Sequence, residues 1–169
     1  MSLLEKYYFY ADYHQNKYNK AIHYVCIPLL VWTLFIFTNY INFDSILVTK
    51  KSSLFEEFQQ VQYCTFNIRG SLILLGLYHV YYCYLSFRIG VISFLFYGSI
   101  WYLASLSYCL DTNIWIPATY LHLLSWVLQI LGHAVFEHNK PAFTTSLKQS
   151  FLMAPLFVVY DLGMWGQLW

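Results

Sequence analysis

Two short stretches near opposite ends of the chain hold the residues with chemical capability: Tyr13-His14-Gln15-Asn16 through Asn19-Lys20-Ala21-Ile22-His23, and Gln129-Ile130-Leu131-Gly132-His133 through Glu137. Imidazole, amide and carboxylate side chains stand there beside segments apolar enough to live in lipid, which points to a metal site built at a membrane. His133 and Glu137 lie one helical turn apart on a single face, the spacing at which paired side chains share an ion in helical metal motifs. Two or more neutral imidazoles plus a carboxylate, with coordination positions left open, form the ligand set of non-haem Fe(II) oxygenases. A closed zinc site would draw on cysteine. Cys26, Cys64, Cys83 and Cys109 show no CxxC spacing and read as buried small hydrophobes rather than a disulfide framework.

The elements that must position these groups are membrane helices. Of 169 residues, 59% are hydrophobic, 22% aromatic and only 10% charged, with a mean hydropathy of +0.48; a soluble domain carries about 25% charged residues. The composition predicts an all-α, polytopic helical bundle forming one integral-membrane domain over residues 1–169, with the lipid bilayer as its main partner. A net charge of +1 offers no basic field for nucleic acid, and no obligate protein partner is evident. The N-terminus lacks the pattern of a signal peptide. Stretches near the required length of about 20 residues occur at 22–41, 70–86, 89–110 and 115–136, with a fifth at 151–169 interrupted by Pro155 and Asp161. Four to five membrane segments are expected, the second and third forming a tight hairpin at Phe87-Arg88, and 42–69 forming a polar loop. With five spans, Lys6, Lys17, Lys20, Arg88, Lys140 and Lys148 share one side and Lys50, Lys51 and Arg69 the other. The positive-inside tendency then places both histidine stretches at the cytoplasmic face.

Helical geometry constrains how the site assembles. His122, Ser125, Trp126, Gln129, His133 and Glu137 recur at spacings of three and four and form one polar stripe; in a membrane such a stripe turns to the bundle interior. His122, eleven residues from His133, is about 16 Å away along the axis, too far to share its ion. His14 and His23 are nine residues apart, and on an unbroken helix they would face about 180° apart. A break is needed between them, and Asn16 and Asn19 are the candidates for it as helix caps. Pro28 adds a second irregularity by removing a backbone donor.

The motifs Tyr13-His14-x-Asn16-x-x-Asn19-x-x-Ile22-His23 with Pro28, Trp126-x-x-Gln129-x-x-Gly132-His133-x-x-Phe136-Glu137-x-x-x-Pro141-Ala142, and Gln149-Ser150-x-x-x-Ala154-Pro155-x-Phe157 resemble those of the endoplasmic-reticulum 2-hydroxy-fatty-acid dioxygenases. The resemblance covers both ends in order and spacing, whereas 39–119 matches only in hydrophobicity. It implies Fe(II)-dependent α-oxidation, in which a long-chain 2-hydroxy fatty acid and dioxygen react and the acid loses one carbon, as in phytosphingosine breakdown. It also implies His14, His23 and His133 as iron ligands, with Glu137 either a fourth ligand or a hydrogen-bond partner of a ligating imidazole. Asn16, Asn19, Gln129 and Lys140 stand as supporting or substrate-contacting residues. Phe143-Thr144-Thr145-Ser146-Leu147 departs from the usual sequence after the Pro-Ala pair, where an acidic and an amide group are missing.

Plainer roles compete. A polar stripe also glues helices together in a non-catalytic lipid-binding or scaffold protein. A di-iron fatty-acid hydroxylase is a further alternative, but the six histidines include no HxxHH box. His122 reads as a satisfied core histidine and His79 as interfacial packing, while His138 has no assigned role. Lys17, Lys20 and Lys140 read as loop charges unless one of them meets a fatty-acid carboxylate.

Overall fold

A computed structural model of the chain describes residues 3–41, 68–137 and 147–165. Its elements are α1 (Leu3–Ala11), α2 (Lys17–Asn39), α3 (Gly70–Leu85), α4 (Phe87–Leu110), α5 (Trp115–Gly132), a π-helical turn (His133–Glu137) that continues α5, and α6 (Leu147–Trp165). The described residues thus form the expected all-α architecture. Among the described residues, three helices are long and apolar enough to cross a membrane: Lys17–Asn39, Phe87–Leu110 and Trp115–Glu137. α3 has 16 residues and spans about 24 Å, short of a hydrocarbon core of about 30 Å; the apolar part of α6, Phe151–Gly163, is shorter still. Among the described residues, three helices therefore meet the length of a span, where four to five segments are expected. Large apolar side chains such as Val25, Leu77, Leu95, Leu123 and Leu131 are exposed on the outer faces of the helices, where lipid would cover them.

α2 and α5 pack antiparallel, pinned at two depths. Near one end the rings of His23 and His133 lie 5.0 Å apart; deeper in, Thr33 Oγ1 lies 2.8 Å from His122 Nδ1. Each interval covers about 15–16 Å of helix, so the two helices stay in register between the pins. α3 and α4 form the expected hairpin, turned by Ser86 in extended conformation. A Cβ on Gly90 would stand 2.8 Å from the backbone of Cys83, so the two legs touch only because residue 90 has no side chain. α4 turns into α5 through Asp111, whose carboxylate accepts the Asn113 backbone N–H at 2.8 Å.

One apolar core joins Phe35, Leu75, Tyr97, Trp101 and Ala118 of α2 to α5. A second joins Tyr10 of α1, Tyr82 and Ile89 of the hairpin, and Met153, Leu156 and Phe157 of α6. α6 runs through Pro155 as one helix. A proline there frees the Phe151 carbonyl four residues earlier, and Tyr78 Oη donates to it at 3.2 Å. Tyr82 Oη donates to the Leu152 carbonyl at 2.9 Å and Tyr97 Oη to that of Pro155 at 2.9 Å. Three phenols of the α3–α4 hairpin thereby hold the proline turn in place.

Candidate metal centre

The break that the histidine spacing demands lies between α1 and α2. α1 closes with two tight turns, Tyr13 N–H to the Tyr10 carbonyl at 3.2 Å and His14 N–H to that of Ala11 at 2.8 Å. Asn16 is extended (φ −79°, ψ 130°) and its side chain accepts the Tyr18 N–H at 2.9 Å, capping α2. Asn19, the other expected cap, instead lies inside α2 and is fully buried. With the chain bent at residues 12–16, His14 turns to face His23. Ring centroids are 4.5 Å apart for His14 and His23 and 4.7 Å for His14 and His133. One ring nitrogen from each of the three lies within 4.8 Å of the others, and all three residues are 2% exposed.

The donor set suits a cation. His14 Nδ1 is 2.8 Å from the Tyr10 carbonyl and His23 Nδ1 2.9 Å from the Asn19 carbonyl. A carbonyl only accepts, so in both rings Nδ1 carries the proton and Nε2 presents its lone pair. Nε2 of His14 and Nδ1 of His133 are buried with no hydrogen-bond partner among the described residues, a costly arrangement that a metal ion would relieve. Burial, then the neighbouring His23 imidazole, lower the pKa of His14 from 6.5 to about 2, which keeps it a neutral donor. The stacked Tyr10 ring, 4.3 Å away, fixes its plane.

Glu137 stands beside this cluster rather than in it. Its Oε1 accepts the Asn16 backbone N–H at 2.9 Å and Asn19 Nδ2 at 3.0 Å. A capping box closes when the glutamate at the third helical position reaches back to the cap's own N–H. Here Asn19 occupies that position and Glu137, from the far end of the chain, supplies the carboxylate. A negative charge at a helix N-terminus is also favoured by the helix dipole. The π turn from His133 to Glu137 changes the pitch between the two residues; nothing in the sequence signals it. A Cβ on Gly132 would lie 2.6 Å from Asn19 Oδ1 and 3.1 Å from Ile22 Cδ1, so only glycine lets α5 approach the first turns of α2 this closely.

Other residues singled out by sequence lie at or around this centre. Gln129 is buried, with Nε2 3.3 Å from the Ser125 carbonyl. His122 has partners on both nitrogens, Thr33 at 2.8 Å and the Trp126 indole N–H at 3.2 Å, as expected of a satisfied core histidine. His79 contacts Cys83 Sγ at 3.6 Å and the Phe94 ring. Lys140 and His138 lie outside the described residues. Cys26 and Cys83 are free thiols, whereas Cys109 is disulfide-bonded, a correction to the reading of the cysteines as simple hydrophobes; the pairing has no CxxC signal to announce it.

Sequence reasoning missed the role of Asp161. This buried carboxylate accepts Tyr7 Oη at 2.8 Å and Lys20 Nζ at 3.2 Å, and Tyr24 Oη as well. It ties α1, α2 and α6 together around the histidines and occupies the ammonium of Lys20. A lone acid in an apolar run flagged an irregularity at 161, but its three donors come from distant sequence. Equally invisible was a cavity of about 200 Å³ that opens from the three histidines and is lined farther in by Ile27, Leu30, Val31 and Leu34 of α2 and by Trp126 and His122 of α5.

The chain is 24% identical over 156 residues to the 2-hydroxy-palmitic acid dioxygenase MPO1 of Saccharomyces cerevisiae, covering 90% of this chain and 75% of the yeast protein. No solved structure matches. A family model described as 2-hydroxy-palmitic acid dioxygenase Mpo1-like matches residues 1–164. From the first helix to the last, the chain belongs to the Mpo1-like family.

Proposed function

We propose that the chain is an Fe(II)-dependent dioxygenase of the endoplasmic-reticulum membrane that removes one carbon from long-chain 2-hydroxy fatty acids by α-oxidation. The observation that carries this reading is the convergence of His14, His23 and His133, their ring nitrogens within 4.8 Å of one another, at the head of a largely apolar cavity. Three neutral imidazoles suit iron among several transition metals and leave positions open for substrate and dioxygen; the match to a dioxygenase is what selects iron among them. When bound, such an ion supplies the one-electron chemistry that dioxygen requires.

The chain's own residues do the rest. Backbone carbonyls of Tyr10 and Asn19 hold the His14 and His23 tautomers, as hydrogen-bond partners of ligating histidines commonly do. Glu137 fixes Asn16 and Asn19, and through them the bend that carries His14 and the turn that carries His23. The carboxylate and 2-hydroxyl of the acid sit at the histidine end, and its tail lies along Ile27, Leu30 and Val31, where water is excluded. An ion held by the three imidazoles would leave positions open for the carboxylate and the 2-hydroxyl, which fits a 2-hydroxy acid as the substrate class.

The histidine end faces the cytoplasm in this reading. Cys109 lies in the last turn of α4 at the opposite face, where Tyr108 packs on Tyr40 at the far end of α2, and its disulfide suits the oxidising lumenal side. The direct test supplies the purified, Fe(II)-loaded protein with 2-hydroxypalmitic acid and dioxygen and follows the product by mass spectrometry. An odd-chain acid one carbon shorter is expected; its formation by His133→Ala would overturn the assignment.

A further inference from the structure

The cavity below the histidines does not end in solid core. A second cavity of about 30 Å³ lies beyond it, lined by Leu74, Leu75, Phe94 and Tyr97 among others. Four residues line both: Val31 and Leu34 of α2, Tyr78 of α3 and Pro155 of α6. They form a partition between two apolar spaces. Val31 and Leu34 lie eight and eleven residues beyond His23, about 12 and 16 Å along α2, so the partition stands deep in the membrane-facing part of the protein. It is also held in place. Tyr78 is fixed by its hydrogen bond to the carbonyl that Pro155 frees, and Pro155 by Tyr97 on its own carbonyl.

We infer that this partition sets the chain length of the acyl group the protein accepts. The inference rests on the proposed reading that a 2-hydroxy fatty acid binds with its polar end at the histidines. A tail running from the histidines along Ile27 and Leu30 meets Val31, Leu34 and Tyr78 as its end wall. Each methylene that fits before the wall adds burial, about fourfold in affinity; each one beyond it must push aside side chains braced by the proline turn. The facing wall at the same depth offers no such adjustment, because His122 is locked by hydrogen bonds to Thr33 and Trp126. Removing part of the wall joins the two cavities and lengthens the space for the tail.

The test measures equilibrium binding of saturated 2-hydroxy acids of graded length to the full chain in nanodiscs, by displacement of a fluorescent fatty acid. Leu34→Ala is expected to move the optimum to longer acids, by about fourfold in affinity per added methylene. Val31→Ala, the smaller change, is expected to do the same to a lesser extent and serves if Leu34→Ala does not fold. Adding Leu74→Phe to Leu34→Ala, which refills the second cavity from its far wall, should restore the original optimum. An optimum that stays fixed in folded Leu34→Ala and Val31→Ala proteins overturns the inference, as does wild-type protein that binds no acid of any length. A shifted binding profile without product formation would leave the partition's role standing and remove the dioxygenase reading; product formation with an unshifted profile would do the reverse.

Discussion

Glu137 Oε1 accepts the backbone N–H of Asn16 at 2.9 Å, joining residues 121 positions apart at the point where the chain bends between its first two histidines. The same oxygen takes Asn19 Nδ2 at 3.0 Å. One carboxylate therefore sets both the start of α2 and the turn that aims His23.

A ligating Glu137 and a bracing Glu137 respond differently to substitution. Glu137→Gln keeps an oxygen able to accept from Asn16 and Asn19, so iron content should hold and affinity should fall by no more than about tenfold. Glu137→Ala leaves both donors unpaired and should cost about 10- to 100-fold in iron affinity. Titrations of Fe(II) into the two variants under anaerobic conditions separate the roles. Complete loss of iron in Glu137→Gln would make the carboxylate a ligand.

Gly132 sits where a side chain would strike Asn19. Gly132→Ala should push Asn19 away from Glu137 and lower iron affinity by about tenfold or more, while the helical content seen by circular dichroism is unchanged. Wild-type affinity in Gly132→Ala would show that the close approach of α5 to α2 is not needed.

The bend between α1 and α2 was legible because nine residues cannot bring His14 and His23 together on a straight helix, and because asparagines occupy the interval. The histidine stripe of α5 was legible from its period, as was the exclusion of His122 by distance. What the sequence could not reveal depends on contacts between distant segments. Asn19 looks like a cap but is buried beneath Glu137 and Gly132. The π turn at His133 has no compositional mark. Lys20 looks like a solvated loop charge, yet Asp161, 141 residues later, holds it at 3.2 Å. Hydropathy marks four to five apolar stretches, whereas among the described residues three helices combine that apolarity with the length of a span.

Asp161 should matter for stability more than for chemistry. Asp161→Ala removes the carboxylate that the Lys20 ammonium and the hydroxyls of Tyr7 and Tyr24 share, a loss of about 3 kcal/mol. Thermal unfolding in detergent or nanodiscs measures it. A midpoint equal to that of the wild type would show that the cluster does not hold α1 and α6 to α2.

His122 provides the contrast to the three converging histidines. Its nitrogens are committed to Thr33 and Trp126, so His122→Ala should retain its iron while loosening the α2–α5 contact and lowering the unfolding midpoint. Iron loss in His122→Ala with the fold intact would mean that the metal lies deeper in the cavity than the three histidines place it.

The central claim is that His14, His23 and His133 hold one iron ion. Metal analysis of the anaerobically purified, Fe(II)-reconstituted chain and of His14→Ala, His23→Ala and His133→Ala tests it most directly. About one iron per wild-type chain and less than about a tenth of that in each variant is the result expected of a three-imidazole site. No bound transition metal in the wild type, or equal iron in wild type and variants that remain folded, would contradict it.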